Sequence, residues 1–450
     1  MCRLGSLSVL ISHFSLLSRS STMKSFPFGS RKKQVLPIQT SLLTIPLKIT
    51  KDLDLKAALE SWTEKSHPHL NAIHVPNDIK RLHSLHSDIR NTLHTPTAHE
   101  LALSDSILDT LVEYHACLLA AIQRGYPSDG SNAHVNGSID ANLIFWWKHA
   151  FCDEDGHDED TLSIKTQAHL NYERCGVLWN IAACHMCLAK ECDWSEKEGR
   201  TEAHRSYLLA ARIFRHILTL KTKIKMADSS VTPDLKASSL EMCLKICQAQ
   251  GQMIAYEALK EKLTTTDNKD NDSIFNLLSK VSAGVSDFFD AALKLSQNLA
   301  IRNQPSSVKI GRHVKAQSML FRARSEFLVS QVEHVNSKFG VELARLAIAE
   351  EMAKEGVNFA KGSGVMPGVK GSIETLLKTI QSKIKTATEE NNTIYHERIP
   401  KTRTLSQLKG NDVMSLGEEV DTGCENGQDF PEEFRPESLT RPMFVDAPKL

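Results

Sequence analysis

Apolar residues recur every three or four positions through most of the chain, which is the period of a helix with one buried face. Long helical segments are therefore predicted, and polar or glycine-rich stretches separate them. These segments are residues 77–94, 98–124, 161–190, 196–225, 234–263, 273–299, 310–357 and 371–391. Successive helices connected in this way predict an all-α fold in which helical hairpins stack as a curved solenoid.

One short stretch has a two-residue period instead. In "SLLTIPLKIT" (residues 41–50), Leu and Ile alternate with Thr, Pro and Lys, which predicts a strand. Pro46 restricts that strand to a sheet edge, because proline has no N–H to donate. Thr50 and Asp52 are predicted to cap the helix that follows. The predicted fold is thus all-α with a small N-terminal β element.

Composition narrows the class of protein. Apolar residues make up 41% of the chain, enough for a substantial core. The 54 basic residues balance 54 acidic ones, so no overall field favours nucleic acid or an anionic membrane. No stretch reaches the ~20 apolar residues that span a bilayer. The ten cysteines, without a convincing secretory signal, are interpreted as reduced thiols of a cytosolic protein.

The two ends differ from the middle. Residues 1–38 are basic and rich in serine, as in an organellar transit peptide; the other interpretation is a disordered basic arm, with Met23 as a possible alternative start. Residues 406–450 are acidic and have no periodicity, which predicts a flexible tail. Residues 39–405 are left as a single predicted domain.

A cluster of Cys and His in "NYERCGVLWNIAACHMC" (residues 171–187) raises the possibility of a metal or thiol site. On a helix, Cys184 and Cys187 lie about 60° apart, and Cys175 lies about 180° from Cys184. One helix therefore offers two thiolates at most, whereas a structural zinc site needs four ligands. Because the stretch is apolar on both sides, it is interpreted as an inner helix of the stack, and no metal or cofactor is predicted.

Catalytic motifs are equally sparse. The sequence contains no P-loop, no G-x-G-x-x-G after a strand, no G-x-S-x-G and no H-E-x-x-H. His149, Cys152 and His157 lie in or beside an acidic loop without a second Cys-x-x-Cys. A helical solenoid without a catalytic constellation is usually a binding platform, so the protein is not expected to be an enzyme. An enzyme built on the thiol pair is the last alternative.

Two stretches in the first half resemble a known family. "NLIFWWKHAF" (residues 142–151) and "LNYERCGVLWNIAA" (residues 170–183) resemble the paired signature of the Bro-one-like domain. Further similar stretches follow the family's order at residues 42–59, 246–262, 338–346 and 391–400. The resemblance covers about residues 40–405. It implies a long curved helical body around a tetratricopeptide-like core, with a small sheet near the N-terminus.

The resemblance also implies a function. Members of the family are non-enzymatic adaptors of endosomal sorting and the multivesicular body pathway. They bind the C-terminal amphipathic helix of an ESCRT-III filament subunit of the Snf-seven type, also called charged multivesicular body protein four, in a concave hydrophobic groove. We therefore expect a cytoplasmic protein that is recruited to endosomes. The alternative is a scaffold for small GTPase or kinase signalling of the rhophilin kind.

The same resemblance identifies candidate groove residues. Met253 aligns with a large apolar residue of the family, Leu277 and Val281 align with two apolar residues one turn apart, and Lys280 aligns with the adjoining Lys. Leu277 and Val281 share one helix face because they are spaced i, i+4. If these apolar side chains are exposed, they would receive the partner helix; ordinary core packing is the alternative.

Three positions qualify this alignment. Relatives carry an acidic residue and a Lys at the groove rim, where this chain has Lys197 and Thr201, so the rim electrostatics are expected to differ. Tyr395 aligns with a family tyrosine on the far face, which indicates a surface or modification site, with a structural role as the alternative.

Overall fold

The structure is a computed structural model. It describes residues 38–66, 75–94, 105–128, 134–135, 138–139, 143–152, 164–265, 271–297, 305–362, 364–414 and 416.

Ten helices account for most of these residues, so the described part of the chain is overwhelmingly helical. They are α1 (Leu55–Ser66), α2 (Val75–Leu93), α3 (Asp105–Gln123), α4 (Leu170–Glu191), α5 (Lys197–Lys223), α6 (Ala237–Thr265), α7 (Asn271–Ser296), α8 (Pro305–Val335), α9 (Phe339–Ala360) and α10 (Pro367–Glu390). Two antiparallel strand pairs lie between α3 and α4. They are β1 (His134–Val135) with β2 (Ser138–Ile139), and β3 (Phe145–Lys148) with β4 (Ile164–Gln167).

Each helix from α3 to α10 packs against the next one along the chain. This serial packing confirms the predicted helical fold, because each helix buries its apolar side against its sequence neighbours. One large core runs through most of the stack. A second, smaller cluster joins α8, α9 and α10.

Two of the predicted helical segments are wrong in their extent. Residues 310–357 form two helices, because Ser337 has a left-handed backbone (φ 56°) between the end of α8 and the start of α9. Residues 161–190 begin with strand β4, which pairs with β3 before α4 starts at Leu170. The helical period runs across both breaks, so the pattern alone did not mark them.

Residues 42–50, the N-terminal segment, are extended as predicted but do not form a regular strand. Their partners are mostly side-chain amides of helices, which the alternating pattern could not indicate. Gln250 of α6 accepts from the backbone N of Leu43 at 2.6 Å and donates to its O at 3.1 Å. Asn180 of α4 brackets Lys48 in the same way, at 2.6 and 3.0 Å. A single β-bridge joins Thr50 to Trp147.

The predicted cap of the first helix is also corrected. Helix α1 begins at Leu55, and the carboxylate of Asp54 accepts from the backbone N of Ala57 at 3.0 Å. Thr50 does not cap this helix, because its hydroxyl donates to the carbonyl of Trp146 in β3 at 2.8 Å.

Helix α4, which carries the Cys and His stretch, is an inner helix, as predicted. Its residues are buried on every side from Leu170 to Cys187. Burial raises the pKa of the Cys175 and Cys187 thiols to about 11, so both are protonated at neutral pH. A Cβ on Gly176 would come within 2.2 Å of the Trp147 ring, so the helix and strand β3 touch at a residue without a side chain.

Candidate partner-binding groove

The four predicted groove residues lie on two adjacent helices, but not all of them are exposed. Leu277 is half-buried and Lys280 is exposed, both on α7. Met253 on α6 has 0% of its surface exposed, and Val281 on α7 has 1%. The expectation that Met253 and Val281 are open to a partner is therefore wrong. Both belong to the main core, and Leu277 packs against that core from outside.

The rim positions lie at the start of α5. Lys197 is exposed, and the Thr201 hydroxyl donates to its carbonyl at 3.0 Å. Nearby, an ion pair between Arg200 and Glu261 ties α5 to α6. The alignment predicts that Lys197 and Thr201 stand where relatives carry an acidic residue and a Lys. If so, the rim of this chain presents the exposed ammonium group of Lys197 to a partner.

A segment of the chain that the sequence did not implicate lies on the same helices. We call residues 410–416 the C-terminal strap; residue 415 is outside the described part. The backbone N of Asn411 donates to the carbonyl of Lys280 at 3.0 Å. The Gln252 side chain donates to the carbonyl of Asn411 at 2.8 Å and accepts from the N of Val413 at 3.2 Å. The strap is thus held as an extended chain by helix side chains and carbonyls.

A buried methionine anchors the strap. Met414 has 1% of its surface exposed and belongs to the same core as Met253 and Val281. Its carbonyl accepts from the Gln248 side chain at 3.2 Å. Beyond it, Arg215 of α5 donates to the carbonyl of Leu416 at 3.0 Å. The strap therefore spans from α7 across α6 to α5.

Two glycines inside helices make this close approach possible. A Cβ on Gly251 would lie 2.3 Å from the Met414 side chain, and a Cβ on Gly284 would lie 2.3 Å from the carbonyl oxygen of Asn411. Glycine inside a helical pattern is unfavourable unless another chain segment must approach. Gly251 and Gly284 are therefore the signal in the sequence that another chain segment lies close to these helices.

The strap also corrects a predicted boundary. The sequence predicts a flexible acidic tail over residues 406–450, yet Arg345 of α9 donates to the Ser406 carbonyl at 3.0 Å and Met414 is buried in the core. The packed chain therefore extends to Leu416. Residues 417–450, and residues 1–37 of the predicted basic extension, lie outside the described part of the chain.

A buried ion pair fixes the N-terminal segment to the interior. The Lys48 ammonium pairs with the Asp234 carboxylate and donates to the Thr232 hydroxyl at 3.0 Å and the Lys148 carbonyl at 3.1 Å. Burial alone would raise the pKa of Asp234, but the Lys48 charge and the neighbouring His149 outweigh burial and lower it. Every Lys48 proton has an acceptor, so this cluster is structural.

A second buried carboxylate links α4 to β3 and α3. Glu173 accepts from the Tyr114 hydroxyl at 3.0 Å and from the Trp147 indole N–H at 2.8 Å. Burial raises the pKa of Glu173 to about 7, although both hydrogen bonds act to lower it. His86, 3.8 Å away, is also buried, and burial lowers its pKa to about 4.

Tyr395 lies far along the chain from the groove helices, beside the start of α9. It is 38% exposed, and its ring stacks on Phe339 with 3.4 Å between the ring centroids and 9° between the planes. The neighbouring Ile394 is 64% exposed. These exposed fractions agree with the predicted surface position of Tyr395. A role of Tyr395 as a modification site stays a prediction.

Within the described ranges, no group of three or more His, Cys, Asp or Glu side chains could hold a metal ion. Among the helices of the described part, none is both long and apolar enough to cross a bilayer.

Serially packed helices, with side-chain amides that hold two extended segments on them, define a helical solenoid fold. The chain belongs to the BRO1-like domain family, whose sequence profile matches residues 42–440. The chain is 23% identical to "Vacuolar-sorting protein BRO1" of Arabidopsis thaliana, over 82% of this chain and 40% of that protein. It is 25% identical to "Programmed cell death 6-interacting protein" of Mus musculus, over 82% of this chain and 38% of that protein.

A solved structure supports the same fold. The chain superposes on the "ALIX BRO1 CHMP4C complex" with a TM-score of 0.64 and 22% sequence identity, over 83% of this chain and 94% of that chain. The chain spans about two fifths of the length of the curated relatives it matches.

Proposed function

We propose that the protein is a non-enzymatic adaptor of endosomal sorting that binds the C-terminal amphipathic helix of an ESCRT-III subunit. Membership of the BRO1-like domain family supports this proposal. The observation that carries it is the half-buried Leu277 beside the exposed Lys280 on α7. An apolar side chain that is partly open and flanked by a charge is what a helix-in-groove partner requires.

Relatives of the chain support a role in endosomal sorting. One relative is a vacuolar-sorting protein, and the superposed structure is a complex of the ALIX BRO1 domain with CHMP4C. In this proposal the protein is cytoplasmic, is recruited to endosomal membranes, and uses Leu277 as the apolar contact and Lys280 as the charged contact. Met253 and Val281 support these contacts from the core. The signalling-scaffold alternative stays a prediction.

Titration of a labelled peptide tests the proposal. The peptide is the C-terminal amphipathic helix of a Snf-seven type ESCRT-III subunit, and binding is measured by fluorescence anisotropy. Leu277→Asp should abolish binding, because it places a charge in the apolar contact. Leu377→Asp is the matched control, since Leu377 is also partly buried but lies on α10 against the second cluster.

The control should bind like the unaltered chain. Absence of binding at hundreds of micromolar, or equal binding by Leu277→Asp, would contradict the proposal. A pull-down with GTP-loaded small GTPases then tests the signalling alternative.

A further inference from the structure

The strap crosses the helix face that carries the proposed contact. On α7, Leu277, Lys280, Val281, Gly284 and Asp287 all lie within about 120° of each other around the helix. The strap touches this face at three successive points. Asn411 N donates to the Lys280 carbonyl at 3.0 Å, Gly410 N donates to the Asp287 carboxylate at 3.2 Å, and the backbone passes directly over Gly284. The first contact lies only about one turn from Leu277.

A partner helix cannot share this part of α7 with the strap. Packed helices have their axes about 8–10 Å apart, whereas the strap backbone touches the backbone of α7. A Cβ built on Gly410 would lie 2.4 Å from the Cα of Gly284. While the strap is in place, an incoming helix meets it one turn beyond Leu277.

The strap is held less firmly than the helices beneath it. Met414 is its one fully buried side chain among the described residues 410–414 and 416, and Asp412 is exposed. The hydrogen bonds that hold it run mostly from helix side chains to strap backbone, at Gln248, Gln252 and Arg215. Backbone groups of a partly exposed segment can exchange these bonds for bonds to water.

We infer that the strap is an internal competitor of the partner helix, and that its release exposes the rest of the α7 face for binding. The inference rests on the proposed function and extends it to regulation. The strap and the partner exclude each other on the face between Lys280 and Asp287. Partner binding is then coupled to strap release, so whatever weakens the strap strengthens binding.

Two substitutions in the full chain release the strap by independent routes. Met414→Asp places a charge where the anchor is buried. Gly284→Ala adds a Cβ that would lie 2.1 Å from the Gln252 amide nitrogen and 2.3 Å from the Asn411 carbonyl oxygen, so it displaces the strap together with the amide that holds it, while the strap sequence is unchanged. The same ESCRT-III peptide is titrated against each variant by fluorescence anisotropy. Hydrogen exchange at residues 410–414 reports whether the strap is docked.

Matched controls leave the strap docked. Gly371→Ala is the control for the glycine variant, because a Cβ at this helical position has no neighbour within 4 Å. Gln407→Asp is the control for the methionine variant, because it adds the same charge at an exposed position shortly before the strap. Circular dichroism verifies that every variant is folded, and either releasing variant is sufficient if the other fails to fold.

We expect both releasing variants to bind the peptide at least tenfold more tightly than the unaltered chain, with fast exchange at the strap. Saturating peptide should likewise accelerate strap exchange in the unaltered chain. Equal affinities in all variants, or a strap that stays protected when the peptide is bound, would overturn the inference and leave the proposed function standing. If no variant and no control binds, the proposed function fails and the inference fails with it.

Discussion

Two extended segments lie on opposite sides of helix α6 and are held by the same chemistry to different degrees. Gln250 brackets the N-terminal segment at Leu43, and Gln252 brackets the C-terminal strap between Asn411 and Val413. These two glutamines point about 160° apart around the helix. Each side-chain amide donates one hydrogen bond to its segment and accepts one from it, as a neighbouring strand would.

The two segments differ in how deeply their own side chains are buried. The N-terminal segment also carries the fully buried Lys48–Asp234 ion pair, and most of its apolar side chains are buried. The strap has Met414 as its buried anchor, and Asp412 beside it is exposed. Side-chain amides can therefore dock an extended segment, and the buried charges and buried apolar area around them set how firmly the segment is held.

The largest expected effect comes from breaking the buried ion pair. Asp234→Ala leaves the Lys48 ammonium without its carboxylate, and we expect a loss of about 3–5 kcal/mol in the free energy of unfolding, measured by urea denaturation. Glu113→Ala is the control, because its ion pair with Arg81 is exposed and is worth less than about 1 kcal/mol. If the two variants lose similar stability, the N-terminal segment is not fixed by its buried charge.

The next effect is a pH dependence centred on Glu173, which holds the strand residue Trp147 that bridges to Thr50. Its pKa is raised from 4.5 to about 7 in the folded state. Between these values the folded protein retains a proton on Glu173 that the unfolded chain has released, so the contribution of Glu173 to stability falls as pH rises through this window. The loss above pH 7 is about 3 kcal/mol at about 1.4 kcal/mol per pKa unit.

Glu173→Gln should remove that component of the pH dependence. Urea denaturation at several pH values compares the variant with the unaltered chain, and the stability difference should change steadily between pH 4.5 and 7 in favour of the variant. A difference that stays constant with pH would show that Glu173 is ionised throughout. Glu173 makes none of the contacts that hold the strap, so strap exchange should not follow the titration of Glu173.

Replacing either of the two glutamines should lower the unfolding free energy by less than the changes above. Gln250→Leu leaves the buried N–H and carbonyl of Leu43 without partners, which should cost about 2 kcal/mol or more in unfolding free energy. Gln252→Leu should cost less, about 1 kcal/mol, because the freed strap groups can bind water, so that the Val281 carbonyl is the one buried group that loses its Gln252 donor. Equal losses in the two variants would contradict the distinction between a permanent and a releasable segment.

The smallest effect is expected at the strap anchor. Met414→Ala should lower the unfolding free energy by no more than about 1 kcal/mol, because strap opening is local, while amide exchange at residues 410–414 becomes faster. Met253→Ala is the matched comparison in the core and should cost about 2–5 kcal/mol. A loss at Met414 as large as that at Met253 would place the strap among the permanent elements.

Much of the helical fold could be predicted from local pattern. The 3.6-residue period marked most helices, and the two-sided apolar pattern of residues 170–189 identified α4 as an inner helix, because both properties depend on neighbours in sequence. The break at Ser337 could not be found this way, since a single left-handed residue does not disturb the apolar period on either side.

Less of the candidate site could be predicted from the sequence. Alignment with the family located Leu277, Lys280 and Val281 on one helix, yet their exposure depends on what packs over them. Val281 and Met253 are buried in the core although they align with groove positions. The helix-interior Gly251 and Gly284 carried a readable signal of close approach, but nothing in them indicated which segment approaches.

By itself, the sequence determined the helical class of this protein, the inner position of the 171–187 helix, the extended form of residues 42–50 and the family to which the chain belongs. Each of these follows from patterns within a few turns of chain. Only the tertiary structure decided which groove residues are open and where the C-terminal strap lies. Gln252 and Asn411 are 159 residues apart in sequence, and contacts over that distance are set by how the whole stack of helices packs.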